Sequence, residues 1–213
     1  MKFNKIKIIF PVFLILISFV LATYFYQIFP DTLATHWGIN GEVNGYSSKA
    51  FGLFFMPIMS VFLLALFIFL PHIDPYKKNF SEFKKYFENF VNLILGFLFY
   101  IYILTLVWNS GHQINITQLI APAIGVIFYY AGVLMQHAKR NWFVGIRTPW
   151  TMSSVVVWEK THALGAKLFK IAGLLSLFGI ILPQYSLFFI IIPILAITIF
   201  IFVYSYWEYR KLA

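Results

Sequence analysis

Six apolar runs, at residues 8–29, 51–70, 90–108, 116–135, 171–187 and 188–207, dominate this chain of 213 residues. Each approaches the ~20 residues that a helix needs to cross a bilayer core. Backbone polar groups in lipid must bond within their own segment, so each run is expected to be a helix. The expected fold is an all-α membrane protein with six transmembrane helices. Charged residues make up 11% of the chain, whereas a soluble domain carries about 25%. The last two runs are nearly continuous. They are divided at LPQYS, residues 182–186, where Pro183 and its polar neighbours suit a tight turn. The opening MKFNKIKIIFPVFLILISFV begins like a signal peptide. Its apolar run continues to Phe29 without a clear small-residue cleavage site, so it is read as a retained first span.

Basic residues orient the bundle. Lys2, Lys5 and Lys7 precede the first span, and Lys77, Lys78, Lys84 and Lys85 lie between the second and third. Lys139, Arg140, Arg147, Lys160, Lys167 and Lys170 lie between the fourth and fifth, and Arg210 and Lys211 follow the sixth. Six spans place all of these on one face, and of the sixteen basic residues only Lys49 falls on the other. That face, with both termini, is expected to be cytoplasmic. The net charge of +9 is thereby explained by topology, and no direct nucleic-acid binding is expected. Membrane lipids are the first expected partners. The chain has no cysteine, which excludes disulfides and cysteine metal sites. No Asp, Glu, Lys, Arg or His falls in the middle of a span, which argues against a proton-coupled pump. Asn92 is the main polar exception, expected to hydrogen-bond between helices. Gly125 and Gly132, seven apart, share a helix face and invite close approach of a neighbour. Pro57, Pro122 and Pro193 lie inside spans and motivate a small permease or exporter as an alternative function.

Two loops stand out from this apolar background. The extracytoplasmic one, residues 30–50, reads PDTLATHWGINGEVNGYSSKA. Its two Asn-Gly pairs each favour a tight turn or hairpin, so a compact folded loop is expected. Asp31, His36 and Glu42 match no metal-ligand spacing, and neither a metal nor a cofactor is expected. His36 and Trp37 either fold the loop or sit on headgroups. An exposed aromatic beside an imidazole also suits a peptide ligand, with Glu42 and Tyr46 as further contacts.

The cytoplasmic loop, residues 136–167, contains NWFVGIRTPWTMSSVVVWEKTH. Gly145 permits a turn and Pro149 disfavours helix at Thr148. A helix then starts with Thr148 as N-cap and Pro149 in its first position, or after Ser153 or Ser154 and on into the fifth span. Either way Trp158 and His162 share one helical face, and Glu159 lies three before His162. Arg147 is available to pair with Glu159. WEKTH lacks the first His of a zincin helix. A membrane enzyme using Arg147, Glu159 and His162 is kept as a second alternative; otherwise the loop pins spans four and five or docks a cytoplasmic partner. A further basic-aromatic stretch, residues 72–88, places Phe80, Phe83, Tyr86, Phe87 and Phe90 at helical spacing. It reads as an amphipathic lead lying on anionic headgroups.

The inner loop resembles the SdpI/YfhL family of six-span immunity proteins. The resemblance rests on Asn141, then Gly145-Ile146-Arg147-Thr148-Pro149-Trp150-Thr151, then Trp158, Thr161-His162 and Gly165. Pro30, His36, Trp37, Gly41, Gly45, Tyr46 and Lys49 resemble the small domain of unknown function that commonly precedes that region. The division this implies is residues 1–70, the first two spans with the His-Trp loop, and 71–213, the remaining spans with the signature loop. The resemblance implies a non-enzymatic membrane protein that protects its cell from a secreted antimicrobial toxin peptide. In some such systems it also implies an autorepressor held at the membrane. Asn141, Trp142, Gly145, Arg147, Thr148, Pro149, Trp150, Trp158, Glu159 and His162 would then form the output surface. His36, Trp37, Glu42 and Tyr46 would meet the peptide.

Overall fold

The computed structural model describes residues 4–212. Helix α1 spans Lys5–Tyr26, followed by strands β1 (Thr32–Trp37) and β2 (Val43–Ser48) and helix α2 (Lys49–Ile73). Short α3 (Lys77–Glu82) leads into α4 (Lys84–Asn109) and then α5 (Ile116–His137). The second half comprises α6 (Pro149–Ser153), α7 (Val155–Leu175), α8 (Phe178–Ile181), a 3-10 turn at Pro183–Tyr185 and α9 (Phe188–Arg210). Among the described residues six helical stretches are long and apolar enough to cross a bilayer, and the chain is a multi-pass membrane protein. The division at 182–186 holds: α8 ends at Ile181 and α9 begins at Phe188.

Polar caps set where the helices begin. Side-chain oxygens of Asn4, Ser48, Asn115, Thr148 and Ser154 accept N–H groups from the first turns of α1, α2, α5, α6 and α7. Both starts weighed for the inner loop therefore occur, one after Thr148 and one after Ser154. The fifth span was expected at 171–187, but its helix begins at Val155. Trp158, Glu159 and His162 ride on the first two turns of α7, on the helix expected to run from Ser154 into the fifth span.

The helices pack in a chain of neighbours: α2 against α1, α1 against α4, α4 against α5, α5 against α7 and α7 against α9. The α5–α7 seam is the tightest, because glycines let the backbones meet. A Cβ on Gly125 would stand 2.7 Å from the Gly173 carbonyl oxygen, and one on Gly132 2.6 Å from that of Ala166. Toward the hairpin end, Ala22, Phe29, Leu33, Leu53, Tyr102 and Leu106 form one buried cluster. Toward the basic end, Phe80, Phe83, Phe87, Val91, Leu95, Leu134 and Trp158 form another.

That second cluster corrects the reading of residues 72–88. Phe80, Phe83 and Phe87 are fully buried in the bundle rather than spread on headgroups. Phe80 packs 4.7 Å from Phe83 and edge-on at 4.9 Å to Phe87. The segment turns inward because Asp74, wholly buried, accepts the N–H groups of Tyr76 (2.7 Å) and Trp142 (2.9 Å). Asn79 adds a bond to the Arg140 carbonyl at 2.8 Å. Asn92 is a second correction: among the described residues its side chain makes no interhelical hydrogen bond, and it lines a groove between helices.

Candidate functional site

The signature stretch, residues 138–162, is organised from within by three side chains. Asn141 is completely buried. Its amide nitrogen donates to the Lys139 and Val144 carbonyls at 2.8 and 2.9 Å, and its oxygen accepts the N–H groups of Phe143 and Val144. All its polar capacity goes into holding a tight loop. Gly145 follows with φ +111, where a side chain is strained. The imidazole of His162 closes the loop: Nε2 accepts the Ile146 N–H at 3.0 Å while Nδ1 donates to the Trp158 carbonyl at 2.8 Å. Both ring nitrogens are consumed by backbone, which fixes one tautomer. Trp158 stacks on that ring at 3.8 Å, and its indole N–H reaches back 2.9 Å to the Ala138 carbonyl at the end of α5.

The next few residues bind the loop to the last helix. Thr148 and Thr151 form a reciprocal cap, each accepting the other's backbone N–H at 2.9–3.2 Å. The Thr148 hydroxyl lies 3.1 Å from Ser205 of α9. Pro149 occupies the first turn of α6, and Trp150 packs against Phe202 and Tyr206 of α9. Residues from α5, α7 and α9 thus meet at one knot.

Two predicted pairings are absent. Arg147 does not pair with Glu159; its guanidinium donates to the Trp142 carbonyl. Glu159 is exposed, and its predicted partner His162 is occupied by backbone. Arg147, Glu159 and His162 therefore do not converge. What the loop does present is a cleft of about 510 Å³ lined by Trp142, Gly145, Arg147, Thr148, Pro149 and Met152. Trp142 is half exposed there, and Arg147 has no carboxylate partner among the described residues. The arrangement suits docking: a cation and an indole at the rim, over a floor fixed by hydrogen bonds.

The same face carries acidic residues that sequence patterning did not single out. Besides Asp74, Glu88 is buried and accepts the Asn4 N–H at 2.8 Å, with Lys7 and Lys84 at 3.6 and 3.5 Å. Glu208 pairs with Lys160 at 2.6 Å and with Lys211. The Asp74-Pro75 dipeptide was a local turn signal. Its reach to Trp142, 68 residues away, had none.

At the opposite end of the bundle, β1 and β2 form an antiparallel hairpin. Its turn uses the first Asn-Gly pair: Gly38 N–H donates to the Glu42 carbonyl at 2.8 Å, and Gly41 takes φ +81. The second pair was expected to turn too. Instead it lies within β2, with Gly45 opposite His36. The hairpin is bolted down along β1. Asn109 at the end of α4 accepts the Ala34 N–H at 2.9 Å and donates to its carbonyl at 3.0 Å, as a third strand would. Trp37 packs edge-on to Trp108, and Thr117 of α5 bonds the Gly38 carbonyl at 2.9 Å. His36, Glu42 and Tyr46 remain exposed, with His36 bonded to the Asn44 side chain. Trp37, by contrast, is half-buried and anchors the hairpin. Asp31 pairs with Lys49 at 3.2 Å rather than with His36. Among the described residues no three His, Cys, Asp or Glu are grouped to hold a metal ion.

Residues 137–205 match the family model described as the SdpI/YfhL protein family, and residues 13–61 match a domain of unknown function, DUF1648. Along its whole length the chain is 26% identical to "Immunity protein SdpI" of Bacillus subtilis (strain 168), covering 98% of that protein. No solved structure matches the chain significantly.

Proposed function

We propose that this chain, which carries an SdpI/YfhL family region at residues 137–205 behind a DUF1648 segment at 13–61, is an immunity protein of the cell membrane. It protects its cell against a secreted antimicrobial peptide without a catalytic step. The observation that carries this reading is the end-to-end likeness to an immunity protein. The two built ends of the bundle agree with it. The hairpin half, residues 1–70, offers His36, Glu42 and Tyr46 on an exposed face to a peptide. The rest, residues 71–213, ends in the rigid cleft of Trp142 and Arg147. Helix α5 touches both: Thr117 holds the hairpin turn and Ala138, just past its end, is held by Trp158.

A second layer of the proposal is that the inner cleft receives a cytoplasmic autorepressor and retains it at the membrane once the peptide is engaged. The exposed Trp142 and unpaired Arg147 support this, because aromatic and arginine side chains anchor protein interfaces. A permease reading draws on Pro57, Pro122 and Pro193, yet Pro57 is buried in the packed bundle.

Expression in a host sensitive to a co-encoded peptide tests the protective function. Survival should rise with the chain and fall for a His36→Ala/Tyr46→Ala variant present at equal level. Unchanged killing with and without the chain contradicts the reading.

A further inference from the structure

A groove of about 520 Å³ runs between α1, α4 and α5, with a lining that shares no residue with the Trp142–Arg147 cleft or the hairpin. Its floor is Gly96, where a Cβ would meet nothing within 4 Å, and its walls include Phe10, Leu93, Phe97 and Val126. Phe10 and Val126 are half exposed at its lips, so the groove opens sideways toward lipid.

Polarity along the groove is ordered. Lys85, Asn89, Asn92, Gly96 and Tyr100 are spaced by four, three, four and four residues, which puts them on one face of α4. At the basic end stands Lys85, exposed and without an ion pair among the described residues. Beside it, Asn89 accepts the Lys7 ammonium at 2.7 Å. Lys7, Lys84 and Lys85 outnumber the single Glu88 there, which leaves the mouth cationic. One turn deeper, the Asn92 carboxamide faces the groove with no hydrogen bond among the described residues. Beyond it the lining is apolar as far as Tyr100, whose hydroxyl turns away to the Leu119 carbonyl. The eight helical steps from Asn92 to Tyr100 rise about 12 Å, close to the ~15 Å of hydrocarbon in one leaflet.

Cation, lone amide and apolar slot follow the order of phosphate, glycerol ester and acyl chain. We propose that the groove holds one acyl chain of an anionic phospholipid from the leaflet on the basic face. The headgroup phosphate meets Lys85 and the ester carbonyl accepts from Asn92.

Native mass spectrometry of the purified full chain with equimolar phosphatidylglycerol and phosphatidylcholine tests this. The expected result is a single retained phosphatidylglycerol, favoured about fivefold, the factor that ~1 kcal/mol for one interfacial lysine gives. Gly96→Leu fills the slot and should cut that adduct about tenfold, as lost apolar burial of this size implies. Ala65→Leu, on the exposed side of α2, should leave it unchanged. Lys85→Gln changes only an exposed side chain, so it tests the headgroup contact without risk to the fold. It should keep lipid binding while abolishing the preference for phosphatidylglycerol. Undiminished adduct in a folded Gly96→Leu variant overturns the proposal, as does equal retention of both lipids by the wild type. Displacement by inorganic phosphate overturns it in favour of a free-anion site. Loss of a dimer, with lipid unchanged, overturns it in favour of a second copy.

Discussion

A Cβ on Gly145 would stand 2.3 Å from Nε2 of His162, the nitrogen that accepts the Ile146 N–H. Loop and helix are therefore fitted so closely that position 145 has room for hydrogen alone. Gly145→Ala meets both this clash and the strain of φ +111. It is expected to destabilise the protein by about 1–3 kcal/mol. Thermal unfolding in detergent would read this, together with faster proteolysis within residues 141–147.

Trp158 joins α7 to the end of α5 through one bond, its indole N–H to the Ala138 carbonyl. Trp158→Phe keeps a ring stacked on His162 but leaves that buried carbonyl without a partner. A loss of about 1–3 kcal/mol is expected. Denaturant titration against wild type measures it.

Asp74 holds the two halves of the basic face together by accepting N–H groups from Tyr76 and Trp142. Asp74→Ala abandons both donors. It should loosen the 139–147 loop and cost about 1.5–3 kcal/mol, the range for hydrogen bonds to a charged group. Hydrogen exchange at Trp142 is the direct readout and should rise sharply, while exchange in the α5–α7 seam changes little.

Arg147 gives the opposite expectation. It is exposed, and among the described residues it bonds only the Trp142 carbonyl. Arg147→Gln should shift stability by no more than about 0.5 kcal/mol. If the cleft docks a repressor, the same variant should release that repressor from the membrane fraction after peptide challenge. Retention equal to wild type would assign Arg147 no part in docking.

These residues mark where the fold was legible in sequence and where it was not. The spans, the Pro183 turn, the caps at Thr148 and Ser154 and the close approach at Gly125 and Gly132 follow from neighbours in the chain or on one helix face. So does the stacking of Trp158 on His162, four residues apart. The misses are tertiary. Phe80, Phe83 and Phe87 carry the pattern of a surface helix, but Asp74 clamped to Trp142 and Asn79 bonded to the Arg140 carbonyl hold the segment against the bundle. Arg147 and Glu159 are complementary in charge, yet the Gly145 turn points Arg147 back to Trp142. Two identical Asn-Gly pairs differ in outcome because Asn109 fixes Ala34, and hence the register of β1 against β2. The peptide-facing and output roles proposed for the two ends were not legible in composition; the proposal rests on likeness to an immunity protein.

The account depends most on the hairpin and the signature loop lying on opposite sides of the membrane. The chain contains no cysteine, so single Tyr46→Cys and Trp142→Cys variants report one site each. Both positions are exposed. With a membrane-impermeant maleimide on intact cells, Tyr46→Cys should label at once and Trp142→Cys only after permeabilisation. Labelling of both in intact cells, or of neither, would contradict the account.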